Sequence, residues 1–100
     1  MTVAVIGTVR FPPENVGALL PALKALVDAT RERDGCIAYD VGEDPFDPGL
    51  FRFSELWPDQ AALTRHTQAD HIPPWREACA KFGVIARKFE VFDVANRRPL

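Results

Sequence analysis

The sequence has few cysteines, no surplus of basic residues and no long apolar run. Only two of its 100 residues are cysteines, and its formal net charge is -2 at pH 7. Cys36 and Cys79 lack metal-ligand spacing, and their apolar neighbours predict reduced, buried thiols, with a disulfide between them as the alternative. The lysines and arginines are scattered, so the sequence lacks the basic patch that binds nucleic acid or an acidic membrane surface. We therefore expect neither partner.

Targeting and cofactor signals are absent as well. The amino-terminal segment has neither the basic stretch nor the apolar length of a secretory signal, and no later segment is long enough to cross a bilayer. This pattern predicts a cytoplasmic location. The chain also has no glycine-rich phosphate loop and no serine nucleophile elbow, so a nucleotide cofactor is not expected.

Hydrophobic periodicity predicts one domain over residues 1–100, in the order strand, helix, strand, strand, two helices, strand. The predicted ranges are 2–10, 14–33, 36–41, 50–57, a short helix after Asp59, 74–82 and 84–94. Pro21 removes a backbone donor inside the first helix and predicts a kink or a shortened helix. Residues 95–100 are expected to form a C-terminal arm that is loose or lies on a partner subunit.

This order of elements is typical of an α+β, ferredoxin-like fold, in which a split βαβ antiparallel sheet carries its helices on one face. The first strand has apolar residues on both sides: Val3, Val5 and Val9 on one, Ala4 and Ile6 on the other. Because no segment is left to cover the second face, we expect a homodimer in which two sheets pack together.

A carboxylate among aromatic residues marks the candidate site. Strand side chains repeat every second residue, so Glu55 points to the same side as Phe53 and Trp57. Burying an ionisable group among aromatic side chains costs free energy of folding, so a group placed there either destabilises the protein or serves its function. Both histidines of the chain, His66 and His71, follow shortly after. This arrangement predicts a pocket.

His66 is the first candidate for a catalytic base, because an unperturbed imidazole titrates near neutral pH, and the alternative is a capping or surface histidine. His71 is the second candidate for a catalytic base, and its alternative role is a hydrogen bond to the backbone at the start of a helix. Glu55 is expected to orient an imidazole as a third catalytic residue, or else to be buried beside an arginine. The arginines considered for that pairing are Arg52, Arg65 and Arg87.

Tyr39 is a candidate to donate a hydrogen bond from its hydroxyl to a substrate oxygen. Its alternative role is structural, with a packed ring and a solvent-exposed hydroxyl. Five further aromatic residues are expected to line a flat substrate pocket or to belong to the core: Phe51, Phe53, Trp57, Trp75 and Phe82. Glu55, His66, Asp70 and His71 are of the residue types that bind zinc or iron. The five-residue histidine spacing, next to Pro73-Pro74, matches no helical ligand pair, so no metal is expected.

The ordered set Asp34 to Tyr39, Asp44-Pro45, Phe51 to Trp57 and Ala62 to His71 resembles the antibiotic biosynthesis monooxygenase (ABM) family, in particular its quinol monooxygenase branch. The resemblance covers nearly the whole chain. It implies a dimeric α+β barrel that oxygenates electron-rich quinols or polycyclic phenols with molecular oxygen, without flavin, haem or metal. Other relatives are isomerases or degrade haem, so the family does not settle the reaction.

The chain departs from the haem-degrading pattern. Gly7 or Thr8 and His66 stand where that branch, and some polyketide-oxygenating members, have an asparagine and a tryptophan. Both activities therefore lose support. The leading hypothesis is a cofactor-independent monooxygenase. Its alternatives are an isomerase of a small carbonyl compound and a non-catalytic dimeric module that binds a small aromatic molecule.

Overall fold

A four-stranded antiparallel sheet organises the chain, and the computed structural model describes residues 1–100. The strands are β1 (Thr2–Arg10), β2 (Ala38–Glu43), β3 (Leu50–Trp57) and β4 (Ala86–Val94), and the helices are α1 (Val16–Arg31), α2 (Gln60–Thr67) and α3 (Ile72–Lys81). The spatial order is β2-β3-β1-β4. This is the ferredoxin-like α+β fold, and the predicted fold class is confirmed.

The helices cover one face of the sheet, and the strand register decides which residues they cover. Directly opposed residues of antiparallel strands point to the same side. Tyr39, Glu55, Val5 and Val91 therefore form one row across all four strands, because Tyr39 and Val5 both pair with Glu55 and Val91 pairs with Val5. The first three of these residues are buried beneath the helices, whereas Val91 on the edge strand is exposed.

Helix α1 buries Leu19, Leu23 and Leu26 at helical spacing. It is shorter at both ends than the predicted range 14–33, and a single 3-10 turn, Pro13–Asn15, precedes it. Pro21 does not interrupt it. Because proline has no backbone N–H, the carbonyl of Gly17 lacks the helical hydrogen bond that residue 21 would otherwise donate. Gly17 and Pro21 are both exposed, so water can bond that carbonyl instead.

The two shorter helices begin at well-defined signals. The Asp59 side chain caps α2, accepting a hydrogen bond of 2.8 Å from the backbone N–H of Ala62. Helix α3 starts at Ile72 rather than at the predicted residue 74, because Pro73 and Pro74 fit within its first turn, where no backbone donor is needed. The α2–α3 connection thus brings His66 and His71 close together.

The opposite face of the sheet is uncovered in the single chain. Ile6 on β1 is 58% exposed, and Phe92 on β4, which points to the same side, is 44% exposed. Cys36 and Cys79 are free, and they are half-buried rather than buried as the sequence predicts. Burial raises the pKa of both thiols. None of the helices is long and apolar enough to cross a membrane.

Candidate functional site

A cavity of about 630 Å³ lies between helices α2 and α3 and the helix-facing side of the sheet. Its wall is mostly hydrophobic and contains a small number of polar side chains. Both the size and the composition are those of small-molecule sites. Three polar groups that line it are Tyr39 from β2, Glu55 from β3 and His66 from α2.

Glu55 is a buried carboxylate, only 8% exposed. Its one hydrogen bond comes from the indole N–H of Trp57, at 3.0 Å from Nε1 to Oε1. Burial raises the pKa of Glu55, while the Trp57 bond and the positive charge of Arg87 act in the opposite direction. The net effect is a raised pKa for a carboxyl group that lines the cavity.

None of the three arginines considered from the sequence forms an ion pair with Glu55. Arg52 bonds Asp44 at 2.9 Å, and Arg65 bonds Asp34 at 3.3 Å. Arg87 influences Glu55 only through its charge. A buried carboxylate without an ion pair is costly, which makes Glu55 a candidate for chemistry rather than for stability.

His66 packs against the aromatic residues around Glu55. Its ring centroid lies 4.7 Å from that of Trp57 and 5.5 Å from that of Tyr39. The side chain is buried, and burial, followed by the neighbouring His71, lowers its pKa to about 4. The imidazole is consequently neutral at pH 7, not near its titration point as the unperturbed value suggests.

The hydrogen bonding of His66 indicates where its proton lies. Nδ1 is buried and has no partner. A neutral imidazole protonates one nitrogen, and burying an unpartnered N–H donor is costlier than burying an unpartnered acceptor. This assigns the proton to Nε2. His66 is then a hydrogen-bond donor on the cavity wall.

His71 does not line the cavity. Its Nε2 lies 2.9 Å from the hydroxyl of Thr30, a fully buried residue of α1. The bond links α1 to the start of α3 instead of capping the helix backbone. Its ring centroid is 5.7 Å from that of His66, so His71 acts on the site as a neighbour of His66.

Tyr39 is buried, with its ring edge-on to Phe53 at 6.3 Å between centroids. Burial, followed by the Glu55 charge, raises the pKa of its hydroxyl, which stays protonated at neutral pH and can donate a hydrogen bond. Among the predicted aromatic residues, Phe53 and Trp75 also line the cavity.

The other three predicted aromatic residues lie outside the cavity wall. Phe51 packs edge-on against Phe11 in the core, at 6.0 Å between centroids. Trp57 is fully buried, where its indole N–H bonds Glu55 and its ring packs against that of His66. Phe82 follows α3 and is half-buried against the core. The structure therefore places Phe51 and Trp57 in the core and Phe82 against it.

Phe89 on β4 is a cavity residue that sequence analysis missed, and it depends on Gly7. A Cβ atom at Gly7 would lie 2.2 Å from Cδ1 of the Phe89 ring. Only glycine therefore lets the ring lie across β1 and contact Phe53, at 5.3 Å between centroids. The alternation of residues in β4 is too poor to show this orientation without the strand register.

The arrangement suits proton transfer to and from a small aromatic molecule. Glu55 can accept a proton, and Tyr39 and His66 are neutral donors that can hold the anion that results. No group of three or more His, Cys, Asp or Glu side chains is placed so that it could hold a metal ion.

Comparison with known proteins identifies relatives of this site's scaffold. The sequence profile described as "Antibiotic biosynthesis monooxygenase" matches residues 2–78. An uncharacterized protein of Synechocystis sp. is 22% identical over 98 residues, which are 98% of this chain and 67% of that protein.

Solved structures are similar over almost the entire chain. A Deinococcus radiodurans protein, provisionally named an antibiotic biosynthesis monooxygenase, superposes with a TM-score of 0.90 at 26% identity, covering 98% of this chain and 97% of that one. A structure named an antibiotic biosynthesis monooxygenase is 32% identical, with a TM-score of 0.85 and coverage of 94% and 99%. Rv0793 of Mycobacterium tuberculosis is 26% identical, with a TM-score of 0.85 and coverage of 99% and 100%.

Proposed function

The chain belongs to the antibiotic biosynthesis monooxygenase family, and from that premise we propose that it is a cofactor-independent monooxygenase acting on a quinol-like or polycyclic phenolic small molecule. The observation that carries this proposal is a buried carboxylate, Glu55, that faces an aromatic cavity without an ion-pair partner. Such a group is a base whose strength the cavity increases.

In the proposed reaction, Glu55 removes the phenolic proton of the substrate. The pKa of Glu55 is raised by burial, which brings it closer to that of a phenol and makes the transfer less unfavourable. Tyr39 and His66 hold the resulting oxyanion with neutral hydrogen bonds. This exchanges the roles expected from the sequence, since a histidine with a pKa of about 4 is a weak base but a good neutral donor.

The substrate supplies the electrons for the oxygen chemistry. For an anthrone, Glu55 takes the acidic proton of the ring CH2 group, or the hydroxyl proton of its phenolic tautomer. The anion passes one electron to molecular oxygen, the radical and superoxide combine into a peroxide anion, and the proton held by Glu55 converts that anion into a hydroperoxide. Loss of water then leaves a new carbonyl, so one oxygen atom enters the product and the other leaves as water. The protein contributes proton transfer, positioning and the exclusion of bulk water.

Oxygen uptake with anthrone tests this proposal. Glu55→Gln keeps an acceptor for the Trp57 indole N–H but removes the base, so we expect the rate to fall by a factor of about 100 or more. Glu77→Gln, the same substitution on an exposed position of α3, is the matched control and should keep full activity. Uptake no faster than autoxidation without protein, or equal in Glu55→Gln and wild type, would contradict the proposal.

The same three groups could instead move a proton next to a carbonyl, because enolisation also needs one base and donors for an oxyanion. This isomerase reading predicts exchange of deuterium into a carbonyl substrate without oxygen. Exchange that Glu55→Gln abolishes, in the absence of any oxygen uptake, would favour it over the monooxygenase.

We also propose a homodimer formed by the uncovered sheet face. Ile6 and Phe92 lie exposed on this face, beside the half-buried Ala4 and Leu56. A sheet with one helix-covered face and one bare, partly apolar face is stable when two copies pack their bare faces together.

A further inference from the structure

Two arginines at the cavity have no carboxylate partner, unlike the others in the folded part of the chain. Residues 1–94 contain seven arginines. Five of them form ion pairs with aspartates: Arg10, Arg31, Arg33, Arg52 and Arg65. The remaining two, Arg76 on α3 and Arg87 on β4, are the two that line the cavity. Their cationic groups are thus available to a ligand.

Arg87 contacts an aromatic residue of its own strand. Its guanidinium carbon lies over the Phe89 ring, 4.5 Å from the centroid, in a cation–π contact that leaves its N–H groups free for a ligand. Arg87 pairs with Val9 and Phe89 pairs with Gly7, so both side chains stand on the helix-facing side of the sheet. The guanidinium therefore lies at the cavity mouth on an aromatic support.

The positive charge of Arg87 reaches the cavity interior. It lowers the pKa of Glu55, of Tyr39 and of the Cys79 thiol, although burial raises the pKa of each. The surrounding mouth is apolar, with exposed Val84, Ile85 and Val91. An anionic group on an otherwise aromatic molecule would find both a charge partner and an apolar surface here.

The backbone positions of Glu55 and Arg87 are well separated on the sheet. By register, their Cα atoms are two strands and four positions apart, about 13 Å along the strands and about 10 Å across them. An extended molecule can therefore place a reacting ring beside Glu55 and an anionic group at Arg87. A polycyclic ring system provides such a length.

We propose that the substrate is a polycyclic phenol or quinol that carries a carboxylate, with the carboxylate bound by Arg87 and Arg76 at the cavity mouth and the reacting ring beside Glu55. The guanidinium group matches a carboxylate through two parallel hydrogen bonds. This inference rests on the proposed function, because it takes the cavity to be the substrate site, but it concerns recognition rather than oxidation.

Binding of a probe that is already at the quinone oxidation level, and so cannot undergo the proposed oxygenation, tests the inference separately from turnover. Anthraquinone-2-carboxylate and the neutral anthraquinone-2-carboxamide have the same ring system and differ in charge. Trp75 lines the cavity, so quenching of tryptophan fluorescence reports binding, with calorimetry as an independent measurement. We expect the wild-type protein to bind the carboxylate at least about 10-fold more tightly than the amide, with a preference that falls as salt is added.

The variants assign that preference to the two arginines. Arg87→Gln should remove most of it and Arg76→Gln part of it, whereas Arg98→Gln, which removes the same charge from the C-terminal arm, should retain it. Arg87→Lys keeps the charge without the planar fork and should bind the carboxylate less tightly than wild type. Equal binding of the two probes by wild type, binding of neither, or a preference that survives Arg87→Gln would overturn the inference.

The two proposals can fail independently. A carboxylate preference that depends on Arg87, together with no oxygen uptake on any phenol, would retain the recognition site and reject the monooxygenase. Rapid oxygen uptake on neutral anthrones without a carboxylate preference would do the reverse.

Discussion

The buried, neutral His66 makes the stability of this protein depend on pH in a way that one substitution can isolate. Its pKa is lowered from 6.5 to about 4 in the folded chain, mainly by burial. In the unfolded chain the imidazole is in water and titrates near its ordinary value. Between these two values the unfolded state binds more protons than the folded state, so stability falls as the pH is lowered.

The magnitude follows from the two pKa values. Moving from pH 7 to pH 5 costs about 2 kcal/mol of the free energy of unfolding, and the full contribution, reached below pH 4, is about 3 kcal/mol. His66 is only 6% exposed but lines the cavity, so solvent screening makes these figures upper values. Glu55 acts in the opposite direction: since its pKa is raised by burial, lowering the pH relieves the cost of its buried charge.

His66→Phe separates the two contributions, because Phe keeps a ring against Trp57 and does not titrate. Urea unfolding of wild type and variant at one protein concentration, at several values between pH 7 and pH 5, gives the difference in their free energies of unfolding. We expect that difference to shift by about 2 kcal/mol against wild type over this range, while contributions common to both proteins cancel.

His71→Gln is the comparison variant. The pKa of His71 is also lowered by burial, but its ring is more accessible to solvent, so we expect a smaller shift. Parallel pH dependence of wild type and His66→Phe would refute the assignment of His66 as a buried, neutral imidazole. It would also remove the argument for His66 as a neutral donor in the cavity.

Two further substitutions test the cavity wall and the uncovered sheet face. In Gly7→Ala the new Cβ would lie 2.2 Å from the Phe89 ring, so overpacking should lower the free energy of unfolding by about 1–3 kcal/mol and displace the ring. Gly42→Ala is the control, because nothing lies within 4 Å of a Cβ atom there. Equal effects of the two substitutions in urea unfolding would argue against the contact. Ile6→Lys places a charge on the exposed face of β1 and should give a monomer in sedimentation velocity. Ile37→Lys changes an isoleucine outside that face and should leave the dimer intact. A dimer that tolerates Ile6→Lys must use another surface.

Elements governed by local signals could be predicted closely. Strand β3 was predicted at its observed bounds, because its alternating aromatic residues and Glu55 mark a strand with one buried face. The short helix predicted after Asp59 is α2, which the Asp59 side chain caps, and such a start can be predicted because capping involves only residues within one turn. The predicted start of α3, residue 74, lies two residues after the observed one, because Pro73 and Pro74 belong to the first turn of the helix.

The functions of the site residues were harder to predict, because they depend on surroundings that no short segment contains. Glu55 and His66 were identified as candidates from their positions in the sequence. Their proposed roles changed once burial was known, since burial raises the pKa of a carboxyl group and lowers that of an imidazole. His71 lies next to His66 but bonds Thr30 on another helix, a contact between residues 41 positions apart.

The sequence alone determined the class of fold and the strand face on which the carboxylate lies, because periodicity and capping are properties of neighbouring residues. Only the tertiary structure decided which aromatic residues form the cavity and which cations face it. Phe89 and Arg87 reach the site through the pairing of β4 with β1, across about 80 residues of chain. That register results from the packing of the entire sheet, and no local pattern in β4 specifies it.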